Sequence, residues 1–335
     1  MSKTKVIANS NAKGGIGKTT NSLGLCYALS HLGKDVLLID GDPQASATLN
    51  LGIDNDDEDT KTIDELLLPY IRIDVTKYSD YGCNSPKEYM QKVRNTLFTW
   101  DNVKKFICTP TYPDRRRNPE NRMEWIWQQI PYGDDLGKFD LIPSSINYSI
   151  CDMSMGIASK NFGGIVYDNY LRDAIQPIID SEEYDFIIID MPPQLSSIAM
   201  NSLSAATDGI VLNSNLDVQA IRGFDTITSS VDSIVKKNPS HRGILGILFS
   251  MYSERRKVDR KVEEIAKEYV PIPVFDARIP ESSDVRKAYL STRLYNQLNK
   301  NARLEYEHFA EEIIYATENP DAPVGSNKPK KAGDE

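Results

Sequence analysis

Lys13-Gly14-Gly15-Ile16-Gly17-Lys18-Thr19-Thr20 follows a short apolar run, Lys5 to Ala8, and opens a segment of helical periodicity. The residue types answer a physical need. Glycines let backbone N–H groups converge on phosphate oxygens, and a helix N-terminus adds its partial positive charge. In such a turn Lys18 reaches the β and γ phosphates and Thr19 offers a hydroxyl to Mg²⁺. Gly14, Gly15, Ile16, Gly17, Lys18, Thr19 and Thr20 are therefore the expected cradle for a nucleotide. A Gly-rich turn alone is often merely structural, but here the strand before, the helix after and the Gly-Lys-Thr triplet coincide.

Working outward, the helix is expected from about Lys18 to Leu32, with Leu23, Cys26, Leu29 and Leu32 facing inward and Gly33 as its C-terminal cap. The apolar run Val36 to Ile39 follows, and similar runs recur at Phe186 to Ile189, Gly209 to Leu212 and Ile244 to Phe249. Their nearly continuous apolar character suits strands covered on both faces, hence a parallel sheet. The expected fold class is α/β, a doubly wound and mostly parallel sheet of the P-loop NTPase type, with ligands at the C-terminal ends of the strands.

Two of these runs end in carboxylates. Val36-Leu37-Leu38-Ile39-Asp40-Gly41-Asp42-Pro43-Gln44 places two aspartates at a strand terminus, and Phe186-Ile187-Ile188-Ile189-Asp190 places one. Asp190 is expected to hold Mg²⁺ through water. Asp40 and Asp42 share a face if the strand continues to both, and either alone would read as a turn or cap residue.

The loop departs from the usual pattern in having Ala12 where Gly is usual and an additional lysine, Lys13. Lys-Gly-Gly-x-Gly-Lys-Thr-Thr resembles the deviant Walker A motif of the ParA/MinD family. The resemblance extends to Asp40-Gly41-Asp42, to Asp190-Met191-Pro192-Pro193, to Asn201 through Asp208, to Asp140 through Ser144 and to Arg278 through Ser283. It implies an ATPase whose Lys13 acts on the nucleotide of a dimer partner, with Asp42 at the attacking water and Asp40 in the outer shell of the metal. ParA proteins usually have Pro after the strand ending near Leu212, where this chain has Asn213-Ser214-Asn215.

The formal charge of -9 speaks against a general polyanion binder, so any DNA contact must come from a local patch. ParA relatives bind DNA nonspecifically through arginines of the C-terminal third, which the resemblance carries to Arg255, Arg256, Arg278 and Arg286. The alternative is a solvated helix face, since Asp259, Glu263 and Glu264 interleave with these bases. Cys26, Cys83, Cys108 and Cys151 and the three histidines are scattered, giving no zinc, cluster or disulfide pattern. No apolar stretch long enough for a membrane span occurs and no signal h-region follows Met1, so a soluble cytoplasmic protein is expected.

Residues from about 54 to 138 interrupt the α/β rhythm and contain Trp100, Trp125 and Trp127. They read as a partly helical insertion, with Ser85-Pro86-Lys87-Glu88 as a helix start and Tyr89, Met90, Val93 and Leu97 on one face. Its aromatics are expected to pack it onto the main domain, rather than to form a partner surface. The ATPase domain is expected to run from 1 to 317, with 318–335 a disordered tail.

By the resemblance, the expected protein is a DNA partition ATPase. Its ATP-bound dimer binds nucleoid DNA nonspecifically and is released on hydrolysis stimulated by a ParB-like centromere-binding partner. With a strand already expected at Lys5, the protein is expected to lack the N-terminal helix-turn-helix of the longer ParA subtype. A MinD-like membrane-cycling protein is the rival, but such proteins end in a basic amphipathic helix and this one ends in Lys330-Lys331-Ala332-Gly333-Asp334-Glu335. An amidoligase or iron-sulfur scaffold on the same fold is a second rival, with no paired cysteines to favour the scaffold.

Overall fold

The computed structural model describes residues 3–11, 15–117, 125–131, 137–161, 168–215, 224–253, 255–281, 300–322 and 324–325. Its centre is a seven-stranded parallel sheet made of β1 (Lys5–Asn11), β2 (Val36–Asp40), β5 (Phe139–Ile142), β6 (Phe186–Asp190), β7 (Gly209–Asn215), β8 (Ile244–Tyr252) and β9 (Val274–Pro280). The strand order is β5-β2-β6-β1-β7-β8-β9. Each apolar run of the sequence becomes a strand. Leu37 and Ile39 enter the core on one face of the sheet while Val36 and Leu38 enter the core on the other, as side-chain alternation in a strand requires.

One face is covered by α1 (Lys18–His31) and α11 (Lys300–Glu318), with Leu23, Cys26 and Leu29 fully buried. Leu32 is 38% exposed because the helix stops at His31 and Gly33, with φ 78°, turns the chain away. The two helices approach closely. A Cβ at Gly24 would lie 2.3 Å from Tyr306 Cε1, so Gly24→Ala must push the ring aside and with it the hydrogen bond that Tyr306 donates to Asn21. Overpacking costs about 1–3 kcal/mol, against about 1 kcal/mol gained in helix propensity. The variant is therefore expected to unfold at lower denaturant than wild type. An unchanged midpoint in urea would show that the ring yields freely.

The other face carries α6 (Tyr148–Asn161), α7 (Tyr170–Ser181), α8 (Ser197–Ala205) and α9 (Phe224–Lys237), together with α3 (Ile63–Ile71), α4 (Pro86–Leu97) and α5 (Trp100–Val103) from the 54–138 segment. Ile63, Leu67, Tyr70, Met90, Phe98 and Val103 lie in the same apolar core as the sheet. Tyr70 meets Phe98 and Tyr170 edge to face, at 5.1 and 5.5 Å between ring centroids. Ser85 accepts the Glu88 N–H as the N-cap of α4, while Glu88 reaches back to the Asn84 N–H. The segment also forms a two-stranded antiparallel ribbon, β3 (Thr111–Arg117) and β4 (Trp125–Pro131), paired only with itself. Side chains of Trp125 and Trp127 lie outside the described residues.

Both edges of the sheet are occupied. At β5, Cys108 and Leu141 exchange two backbone hydrogen bonds of 2.9 and 2.8 Å. At β9, the N–H groups of Asp276 and Ala277 donate to Glu312, and that of Arg278 donates to Glu305. Glu312 is 1% exposed and also accepts the Gly325 N–H. Packing thus continues beyond 317: Val324 is buried over Gly246 and Phe275, and Arg242 donates to the carbonyl of Pro320. Residues 326–335 of the expected tail lie outside the described residues.

Candidate functional site

The ends of three neighbouring strands define the site. Register pairs Asn9 of β1 with Asp190 of β6, and Asp190 with Asp40 of β2. The first residues of α1, Lys18 and Thr19, meet Asp190 at the strand ends. Gly15 and Gly17 have φ of 77° and 85°, and beyond their chain neighbours no described residue lies within 4 Å of where a Cβ would stand on either. Open space above a turn that only glycine adopts cheaply is what a phosphate cradle needs.

Asp190, 0% exposed, is the hub. Its Oδ1 accepts from Lys18 Nζ at 2.8 Å and from Ser22 Oγ at 2.7 Å, and its Oδ2 accepts from Thr19 Oγ1 at 2.8 Å. A buried carboxylate is tolerated because three donors, one of them cationic, surround it. Lysine, threonine hydroxyl and carboxylate in one cluster form a donor set suited to a nucleotide phosphate with a divalent cation. Ile16 and Thr20 are buried beneath the turn.

Asp40 and Asp42 diverge in role. Asp40, fully buried, accepts the N–H and hydroxyl of Thr48 on Oδ2 at 2.8 and 2.7 Å, and the Asp42 N–H on Oδ1 at 3.2 Å. Burial, then the neighbouring charge of Asp190, raises its pKa to about 7, against the opposing pull of the Thr48 and Asp42 hydrogen bonds. Both oxygens are engaged in shaping the loop and the short helix α2 (Ser46–Asn50) that follows. Asp42 accepts the Gln44 N–H on Oδ1 at 2.9 Å, and burial raises its carboxyl above the usual range while Lys18 pulls the other way. Between them Gly41 donates to the Asp190 carbonyl, which a Cβ would approach to 2.8 Å, so no larger residue fits there.

Behind the hub is a buried amide network that the sequence reading missed. Asn21 donates to Asn213 and Ser250 and accepts from Tyr306; Asn213 donates to Asn9 and to the Ser10 carbonyl; Asn9 donates to Ser22. Asn213, first of the Asn213-Ser214-Asn215 stretch, is thus a member of this network. Asn215 at the end of the strand has a buried Oδ1 with no hydrogen-bond partner among the described residues.

Lys13 and Gly14 lie outside the described residues, as does Arg286. Arg255 is exposed at the start of α10 (Lys257–Tyr269). Arg256 pairs with Glu281 and, at 3.9 Å, with Asp259. Arg278 is drawn inward: its guanidinium makes three hydrogen bonds of 2.6–3.1 Å to Glu263, which raise its pKa. It holds β9 to α10, and the exposed bases of that region among the described residues are Arg255, Arg256, Lys257, Arg260, Lys261 and Lys267.

The fold and the cluster at the strand ends define a P-loop nucleotide-binding protein. The chain belongs to the CobQ/CobB/MinD/ParA nucleotide binding domain family, whose model matches residues 7–295. It is 26% identical over 283 residues to the chromosome partitioning protein ParA of Myxococcus xanthus, covering 83% of this chain and 76% of that one. Among solved structures it resembles a Cyanothece McdA–ATP complex with a TM-score of 0.65 at 20% identity, covering 94% and 98% of the two chains. It also resembles Mycobacterium smegmatis cobyrinic acid a,c-diamide synthase with a bound ATP analog and magnesium, with a TM-score of 0.63 at 20% identity and 98% and 99% coverage. Those two likenesses concern the fold. No helix among the described residues is long and apolar enough to cross a membrane, and they contain no group of three or more His, Cys, Asp or Glu able to hold a metal.

Proposed function

We propose that this chain is a Mg²⁺-dependent DNA partition ATPase, one domain from the N-terminus to at least Gly325 carrying the 54–138 insertion. The observation that carries the reading is the convergence of Lys18, Thr19 and Ser22 on Asp190 with Asp42 beside it, in a chain related to ParA along most of its length. Lys18 and the turn from Gly14 to Thr20 would hold the ATP phosphates, and Thr19 and Asp190 the metal. Bound Mg²⁺ supplies charge neutralisation at the transferring phosphoryl group. To serve them Lys18 must leave Asp190. Asp42 orients the attacking water, Asp40 holds the Asp42 loop in place, and Lys13 completes the partner's site.

An ATP-bound dimer also has a surface to bury. Met153 and Ile157 are 70% and 63% exposed, in one row with Ile150 along α6, and Ile146, just before the helix, is 62% exposed. That helix is tied to the helices that follow the two aspartate loops, since Asp152 accepts the Ile198 N–H of α8 and Ser144, just before α6, donates to Thr48 of α2. In this reading the dimer binds DNA nonspecifically at the nucleoid and returns to the cytoplasm after hydrolysis stimulated by a ParB-like partner.

A gel-shift assay with nonspecific duplex DNA tests the proposal: a shift should appear with ATP and Mg²⁺, be absent with ADP, and weaken steeply with salt. Replacing Arg255, Arg256 and Arg286 together with Ala should lower DNA affinity about tenfold or more while basal ATPase persists. Absence of any ATP-dependent shift, with ATP-dependent sedimentation on anionic liposomes instead, would overturn it in favour of a membrane-cycling protein.

A further inference from the structure

Away from the strand ends, α3, α4 and the start of α7 line an open cavity of about 600 Å³. Its floor is apolar, formed by Tyr70 and Met90, 1% and 5% exposed. Along α4 the residues Lys87, Gln91 and Arg94 fall at i, i+4 and i+7, one line down the same wall. Asp173 is the acidic residue of the lining, and its oxygens are engaged: Oδ2 accepts the Tyr70 hydroxyl at 2.9 Å and Oδ1 accepts Arg94 Nη1 at 3.2 Å. A guanidinium carries five N–H donors and an ammonium three, so pairing with Asp173 leaves the wall rich in donors. Asn169 on the opposite side adds an amide, whose oxygen accepts from Ser204.

We propose that this cavity binds a small organic anion, a carboxylate, sulfonate or phosphate carried on an apolar body. The volume lies within the range of small-molecule sites, roughly 300–1,000 Å³, and combines an apolar floor with a few convergent polar groups, as such sites do. With Asp173 neutralised by Arg94, Lys87 gives the wall its excess positive charge, which selects for an anion. The site also has a route to the nucleotide. Asn169 and the Tyr170 N–H bond Ser204 and Asn201, both on α8, the helix that follows the loop after Asp190. An occupant therefore bears on the element that the nucleotide site also bears on, and coupling between two such sites is reciprocal. None of this depends on the partition reading.

The test uses two fluorescent probes that differ by one group, 8-anilinonaphthalene-1-sulfonate and its uncharged counterpart N-phenyl-1-naphthylamine, titrated into the full chain. Lys87→Gln, which leaves the Tyr70 and Arg94 bonds of Asp173 in place, should weaken the sulfonate about threefold, and Lys87→Gln with Arg94→Gln about tenfold or more, with the uncharged probe little changed. Gln91→Trp should fill the cavity and remove both probes. Thermal melts check folding, and if Arg94→Gln proves unstable the Lys87→Gln and Gln91→Trp results decide alone. Equal sulfonate affinity in wild type and Lys87→Gln would overturn the proposal. So would equal losses for both probes in Lys87→Gln, or sulfonate binding untouched by Gln91→Trp, which would locate the dye on an apolar surface elsewhere.

Discussion

Lys18→Ala is expected to bind Mg²⁺–ATP at least about a hundredfold more weakly than wild type, and to be less stable even without nucleotide. The first effect follows from losing the main side-chain counterion of the phosphates; a hundredfold corresponds to about 2.7 kcal/mol, ordinary for a charge-assisted contact in a shielded site. The second follows from the ion pair with Asp190, whose partners are 6% and 0% exposed. Removing one member of a buried pair typically costs about 3–5 kcal/mol, because the other charge is left uncompensated. Thr19 and Ser22 still donate to Asp190, so the loss should fall at the lower end. Calorimetric titration reads the binding and thermal unfolding reads the stability. Wild-type affinity would refute the phosphate-binding role, while lost binding with an unchanged melting temperature would mean that the ion pair contributes nothing to the resting fold.

Asp42→Ala should separate binding from hydrolysis. Lys18, Thr19 and Asp190 make no hydrogen bond to Asp42, so ATP affinity should stay within a few fold of wild type. An unpositioned nucleophile costs about a hundredfold or more in rate. The protein should then accumulate as an ATP-bound dimer, seen as a larger species in light scattering, whereas Lys13→Gln should bind ATP and remain monomeric. A Lys13→Gln protein that dimerises and hydrolyses at the wild-type rate would make Lys13 an ordinary loop residue. Asp42→Ala hydrolysing at the wild-type rate would move the water-orienting role elsewhere.

The sequence was most legible where one requirement dominated. Phe186 to Ile189 is buried on both faces and so reads as one uninterrupted apolar run, and Asp190 stands out at its end. Strand β9 lies at the sheet edge, and its partly exposed Asp276 and Arg278 break the run that would have marked it. Strand β5 has only four residues, too few for a periodic signal. In the site, Lys18, Thr19 and Asp190 were readable because each is demanded by phosphate and metal chemistry. Ser22 and Asn21 were not, since a polar residue in the first turns of a helix looks the same whether it faces solvent or a buried carboxylate. Thr48, eight residues beyond the Asp40 it anchors, belongs to a five-residue helix that periodicity cannot detect. Arg278 shows the converse: counted among surface bases in the sequence, it is committed to Glu263 in the fold.

The glutamates along β9 have a consequence for crowding. An open strand edge is a template on which another chain can add its own backbone, and proteins held at high local concentration are the most exposed to that hazard. Here Glu312 and Glu305 take up the N–H groups of Asp276, Ala277 and Arg278, while the stretch at Cys108 closes the opposite side. These edge groups are already engaged within each chain and are not open to a neighbour if the proposed DNA binding gathers many copies along one molecule. Their contacts would be left to side-chain surfaces, which can be made and broken with each round of nucleotide turnover without risk of the irreversible zippering that backbone pairing invites.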